Sequence, residues 1–66
     1  MNSELLREYI LKTFRTQKAA AEYWGMGAAT LSKKINGTLE FTKRELENIK
    51  RDCKMPSRDF LKIFFS

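Results

Sequence analysis

The stretch Thr16–Gly37, TQKAAAEYWGMGAATLSKKING, decides the expected fold, because it has the features of two short helices joined by a sharp turn. Thr16 is a good N-cap for a helix over Gln17–Trp24. Gly25 can adopt the left-handed conformation that ends such a helix, and Met26 is expected to follow as a buried residue.

The second helix of this stretch is predicted to start at Gly27 and to end before Asn36, which with the next glycine forms a strong stop signal. Its buried face would contain Leu31 and Ile35, which are one helical turn apart. Ala21, in the preceding helix, suits a position where two helix axes cross closely. The outward face is left with small and polar residues, namely Gly27, Ala28, Ala29, Ser32 and Lys33, flanked by Thr30 and Lys34.

The spacing of this stretch resembles the helix-turn-helix of the phage repressor and Cro-like family. The residues that match the family pattern in register are Thr16, Gln17, Ala21, Gly25, Met26, Leu31, Ser32, Lys33, Lys34, Ile35, Asn36 and Gly37. The chain departs from the family at the start of the second helix, where Gly27, Ala28 and Ala29 stand in place of the usual polar residues. The resemblance implies an all-α, compact five-helix lambda-repressor-like DNA-binding domain over residues 1–66.

A helix is also predicted before the motif. It should cover Ser3–Phe14, with Ser3 as its N-cap and with Leu6 and Ile10 on its buried stripe. The charged residues between these apolar positions are expected on the solvent side; they are Arg7, Glu8 and Lys12.

After the motif, Thr42 and Glu45 have the form of a capping box, which predicts a fourth helix from this point to about Asp52 or Lys54. Cys53 continues the buried stripe of this helix, so it is interpreted as a small buried hydrophobic residue.

A last helix is predicted from Pro56 or Ser57, ending in the apolar run Phe60–Phe65, FLKIFF. Because a helix spreads consecutive residues around its axis, one small domain cannot bury all of these side chains. Phe60 and Phe64, with Leu61 beside them, have the spacing to pack on the first and fourth helices. Ile63 and Phe65 are therefore the predicted dimer interface, in a homodimer that forms mainly on DNA.

The composition limits the classes of function. The 66 residues include 13 Lys and Arg against 8 Asp and Glu, one Cys and no His. The net charge of +5 favours a polyanionic partner. No apolar run is long enough to cross a membrane, and the lone cysteine without histidine argues against a disulfide or zinc site. We expect a bacterial cytoplasmic, nucleoid-associated protein without cofactor or metal.

The resemblance implies that the second motif helix enters the major groove of double-stranded operator DNA. The residues expected to contact bases are Ala28, Ala29, Ser32 and Lys33. The residues expected to contact phosphates are Gln17, Lys18, Thr30, Lys34, Asn36, Lys43 and Arg44. Gln17 would be helped by the dipole and free N–H groups of its helix start. The implied function is a Cro-like transcriptional repressor that acts by occupying its operator.

Other interpretations of the same residues stay open at this point. Ala28 and Ala29 could be helix-favouring residues without any DNA contact. Trp24 could stack on bases, although its place at a helix end beside Gly25 favours a core position. An enzyme is not expected, since no base, phosphate loop or nucleophile motif is present. The main alternative is a protein-interaction module derived from a helix-turn-helix, which binds and modulates a partner repressor.

Overall fold

The computed structural model describes residues 1–52 and 55–65, and this part of the chain forms five α-helices and no β-strand. The helices are α1 (Ser3–Phe14), α2 (Gln17–Tyr23), α3 (Ala28–Ile35), α4 (Lys43–Asp52) and α5 (Ser57–Phe64). The predicted all-α, five-helix class is therefore confirmed. No helix in the described ranges is long and apolar enough to cross a lipid bilayer. The prediction for Cys53, and a fourth helix reaching Lys54, concern residues outside those ranges.

The N-terminus of α1 is capped by Asn2 and not by Ser3. The Asn2 side chain accepts a hydrogen bond of 3.1 Å from the backbone N–H of Leu5. The hydroxyl of Ser3 instead donates a 2.7 Å hydrogen bond to the backbone carbonyl of Ile35, at the end of α3. The prediction of Ser3 as the cap was wrong because its hydroxyl takes a tertiary partner.

The turn between α2 and α3 follows the predicted scheme. Thr16 caps α2, since its hydroxyl oxygen accepts a 3.1 Å hydrogen bond from the N–H of Ala19. Gly25 has a φ of 72°, in the left-handed region that glycine enters without steric penalty. The N–H of Met26 then donates to the carbonyl of Ala21 at 2.9 Å. The Met26 side chain is half-buried, so it packs against the core without being enclosed as predicted.

One hydrophobic core joins all five helices. The fully enclosed residues with the largest side chains are Leu6, Ile10, Leu31, Ile35 and Ile49. Truncating one of them to alanine is expected to cost about 2–5 kcal/mol, because the cavity left behind adds to the lost transfer energy. Ala20 and Ala21 are also buried, on a helix that packs against both α1 and α3. Trp24 packs against this core, with its ring 5.5 Å from that of Phe14, as its position beside Gly25 predicted.

The orientation of α5 differs from the prediction. Phe60 and Ile63 are buried, whereas Leu61 and Phe65 are 57% and 65% exposed. The carbonyl of Ile63 accepts a 2.6 Å hydrogen bond from the N–H of Asn2, which holds this side of α5 against the start of α1. The prediction that Ile63 belongs to an exposed dimer interface is therefore wrong, and Leu61 takes the exposed position beside Phe65.

Candidate nucleic-acid interface

The two sides of α3 have different environments. Leu31 and Ile35 are buried against the other helices, as predicted. The residues predicted to contact bases lie on the remaining arc, where Ala28, Ala29 and Lys33 are exposed and Ser32 is half-buried. Their helical spacing places them on one continuous surface of about two turns.

The N-terminus of α3 is open. Its N-cap is Gly27, which has no side chain to accept a hydrogen bond from the first turn. The first intrahelical bond described here joins the N–H of Leu31 to the carbonyl of Gly27 at 3.0 Å. The backbone N–H groups of the preceding residues are therefore donors without a helical acceptor, as at any uncapped helix start. Because Ala28 and Ala29 are small, their side chains leave these donors accessible.

Lys34 occupies the interior side of α3. Its side chain is 7% exposed, and its ammonium group donates to the carbonyl of Glu40 at 3.0 Å and to a carboxylate oxygen of Glu45 at 2.9 Å. The ammonium group also lies 5.7 Å from the centre of the Phe41 ring. The interpretation of Lys34 as a phosphate-binding residue is therefore wrong. Thr30, the other predicted flanking residue, is half-buried.

The start of α4 is shaped by the predicted capping box. The N–H of Glu45 donates to the Thr42 hydroxyl at 3.1 Å, and the N–H of Thr42 donates to the Glu45 carboxylate at 2.8 Å. Lys43 and Arg44, which lie between these two residues, are exposed. Because Glu45 also binds Lys34, the first turn of α4, which carries these two cations, is linked to α3.

The charge of Glu45 is stabilised by its surroundings. Burial raises the pKa of this carboxyl. The hydrogen bond and positive charge of Lys34, together with the hydrogen bonds from Thr42, lower the pKa by more than burial raises it, so the pKa lies below the ordinary value of 4.5. The carboxylate therefore stays ionised at neutral pH and keeps the first turn of α4 attached to α3.

The start of α2 exposes both of its predicted phosphate-binding side chains. Gln17 and Lys18 are the first residues after the Thr16 cap, and both are exposed. They are on a different helix from Lys43 and Arg44, and α2 is the helix most extensively packed on α3.

Arg7 belongs to this surface although the sequence pattern indicated only a solvated residue. Its guanidinium donates a 2.7 Å hydrogen bond to the side-chain carbonyl of Asn36, the C-cap of α3. No spacing within α1 could indicate this contact, because it depends on how α1 packs against α3.

Comparison of the chain with protein-family models, with curated proteins and with solved structures found no match.

Proposed function

We propose that this chain is a small sequence-specific DNA-binding transcriptional regulator that inserts α3 into the major groove of operator DNA. The observation that supports this most is the exposed arc of α3, with Ala28, Ala29 and Lys33, on a helix whose other side is held in the core. A helix that reads bases must present a free face while its position is determined by the rest of the domain.

The residues around this arc support the same function. Gln17 and Lys18 are exposed at the start of α2, and Lys43 and Arg44 are exposed at the start of α4. Both groups suit phosphate contacts, which determine how a protein is oriented on a duplex. The net charge of +5 adds a long-range attraction to DNA. The helix-turn-helix resemblance of residues 16–37 independently implies this arrangement.

In this proposal the protein acts by occupancy. A chain of this size binding at a promoter would exclude polymerase or a competing regulator without any enzymatic step. A single α3 reads only a few base pairs, so we further propose that two chains bind one roughly palindromic operator. Leu61 and Phe65, the exposed apolar residues of α5 and its C-terminal end, are the proposed contact between them.

A second function is favoured by one observation. Ala28 and Ala29 are exposed at the start of α3, where side chains that hydrogen-bond to bases would be expected. The alanine side chain has neither a hydrogen-bond donor nor an acceptor. A surface of this kind also suits a protein-interaction module that binds a partner repressor. Under that function the same arc would contact protein, and DNA affinity would be weak and without sequence preference.

Selection of bound sequences from a random pool of duplexes tests the two functions against each other. DNA reading predicts that one sequence family is enriched and that Ala28→Glu abolishes its binding, because the new charge faces the phosphates of the groove. Thr13→Glu is the matched control, since Thr13 is exposed on α1, gains the same charge and lies about 120° around the helix from Arg7. If no sequence is enriched, or if Ala28→Glu weakens binding no more than Thr13→Glu does, the DNA-reading function is overturned.

A further inference from the structure

The contact between Arg7 and Asn36 joins two parts of the chain that are far apart in sequence. The guanidinium Nη2 of Arg7 donates to Oδ1 of Asn36 at 2.7 Å, and both side chains are exposed. This is a short distance for an N–H···O hydrogen bond, as expected when the donor carries a charge. Within residues 1–52 and 55–65, this is the one hydrogen bond described for the Arg7 guanidinium, which has no carboxylate partner there.

This contact determines which end of the Asn36 amide faces outwards. A guanidinium can only donate hydrogen bonds, so the amide atom beside it must be the oxygen. The Asn36 NH2 group is then the end that remains for another partner. An NH2 group donates to a phosphate oxygen, whereas an outward amide oxygen would repel it.

The backbone around this pair is held by several contacts. Ser3, one helical turn before Arg7, donates its hydroxyl hydrogen to the carbonyl of Ile35 at 2.7 Å. Asn36 donates its own N–H to the carbonyl of Ser32 at 3.0 Å. The cation of Arg7 also lies at the C-terminal end of α3, where the helix dipole favours positive charge. The backbone segments that carry the two side chains are therefore held together before any ligand binds.

We propose that Arg7 and Asn36 form a binding site for one phosphodiester group of the DNA backbone, with Arg7 orienting Asn36 and contributing its own remaining N–H groups. This inference rests on the proposed DNA-binding function and extends it to α1, outside the helix-turn-helix. The site combines a planar cationic donor with a neutral amide donor. That combination neutralises one phosphate charge and also restrains the direction of approach.

The test measures the affinity of the intact chain for its selected duplex over a range of salt concentrations. The slope of log affinity against log salt reports how many phosphates are neutralised. Arg7→Ala should reduce the magnitude of this slope by about one and weaken binding about tenfold at low salt. Arg7→Lys keeps the charge and should keep most of the slope. Asn36→Ala should weaken binding with little change in slope, and its effect should shrink in the Arg7→Ala background.

Lys12→Ala is the matched control, because it removes one positive charge from α1 at an exposed position beside α5. A purely structural role of Arg7 would lower the melting temperature but leave the slope unchanged. If the wild-type chain binds its duplex and Arg7→Ala has the same slope, or the same slope as Lys12→Ala, the Arg7 site is overturned while the proposed function stands. If the wild-type chain binds no duplex, both fail.

Discussion

The ammonium group of Lys34 lies 2.9 Å from a carboxylate oxygen of Glu45 and joins the inner side of α3 to the first turn of α4. The same carboxylate accepts the N–H of Thr42, so one side chain completes the capping box and neutralises a buried cation. The position of Lys43 and Arg44 relative to α3 therefore depends on this ion pair. Any binding function that Lys43 and Arg44 share with α3 also depends on this ion pair.

The first prediction concerns the stability of this ion pair. Glu45→Ala should lower the free energy of unfolding by about 2–4 kcal/mol, because it leaves the Lys34 ammonium buried and removes one half of the capping box. Lys34→Met should cost less, about 1 kcal/mol, since an apolar side chain of similar length replaces the buried charge and Glu45 keeps its Thr42 contacts. Urea unfolding at neutral pH measures both. Equal losses for the two variants would show that the buried charge does not dominate.

The second prediction concerns pH. Because the pKa of Glu45 is lowered in the folded protein, the unfolded chain takes up its proton first as pH falls. The stability contributed by this group is fully present above its ordinary pKa of 4.5 and is lost as pH falls through the lower folded value. Urea unfolding between about pH 7 and pH 3 should therefore show a steeper acid loss in the wild type than in Glu45→Gln. Parallel curves would contradict the assigned role of Lys34 and Thr42.

The third prediction separates base reading from phosphate binding, and it rests on the proposed function. Lys33→Ala should remove about 1–3 kcal/mol of discrimination at one base position, because its exposed ammonium is placed to bond a guanine edge. Lys43→Ala should instead weaken all sequences about equally and reduce the salt slope by roughly one. Each variant is the control for the other, since both remove one exposed lysine. Uniform weakening by Lys33→Ala would make it a phosphate residue.

The fourth prediction concerns the proposed dimer on DNA. Phe65→Asp should reduce cooperative binding to a palindromic site whose half-sites are about 34 Å apart, while leaving the fold intact, because Phe65 is 65% exposed. Footprinting and a titration of site occupancy measure the loss. Leu11→Glu is the control, as its side chain has the same 65% exposure on α1.

Ile63→Asp provides the contrast on the same helix. Ile63 is 3% exposed, so this variant should unfold the domain rather than change cooperativity alone. A single-half-site footprint for the wild type, unaltered in Phe65→Asp, would exclude α5 as the dimer contact.

Short-range signals in the sequence predicted the helices well. Thr16 caps α2, Thr42 and Glu45 form the capping box of α4, and Gly25 adopts the left-handed conformation that ends the first motif helix. Each of these features involves groups within about one helical turn of each other, so the local residue types suffice to predict it. Arg15 is an exception, since its φ of 73° lies in a region that non-glycine residues rarely occupy, and no residue type indicated it.

Local residue patterns were enough to predict the number, type and approximate bounds of the helices and the buried pair Leu31 and Ile35 on α3. The inward position of Lys34, the burial of Ile63 with Leu61 outside, and the contact of Arg7 with Asn36 depend instead on how the helices pack. Helical periodicity shows which side chains share a face of a helix. It does not show which of two apolar faces is buried, or where the charge on a long flexible side chain lies, because both depend on the elements packed against that helix.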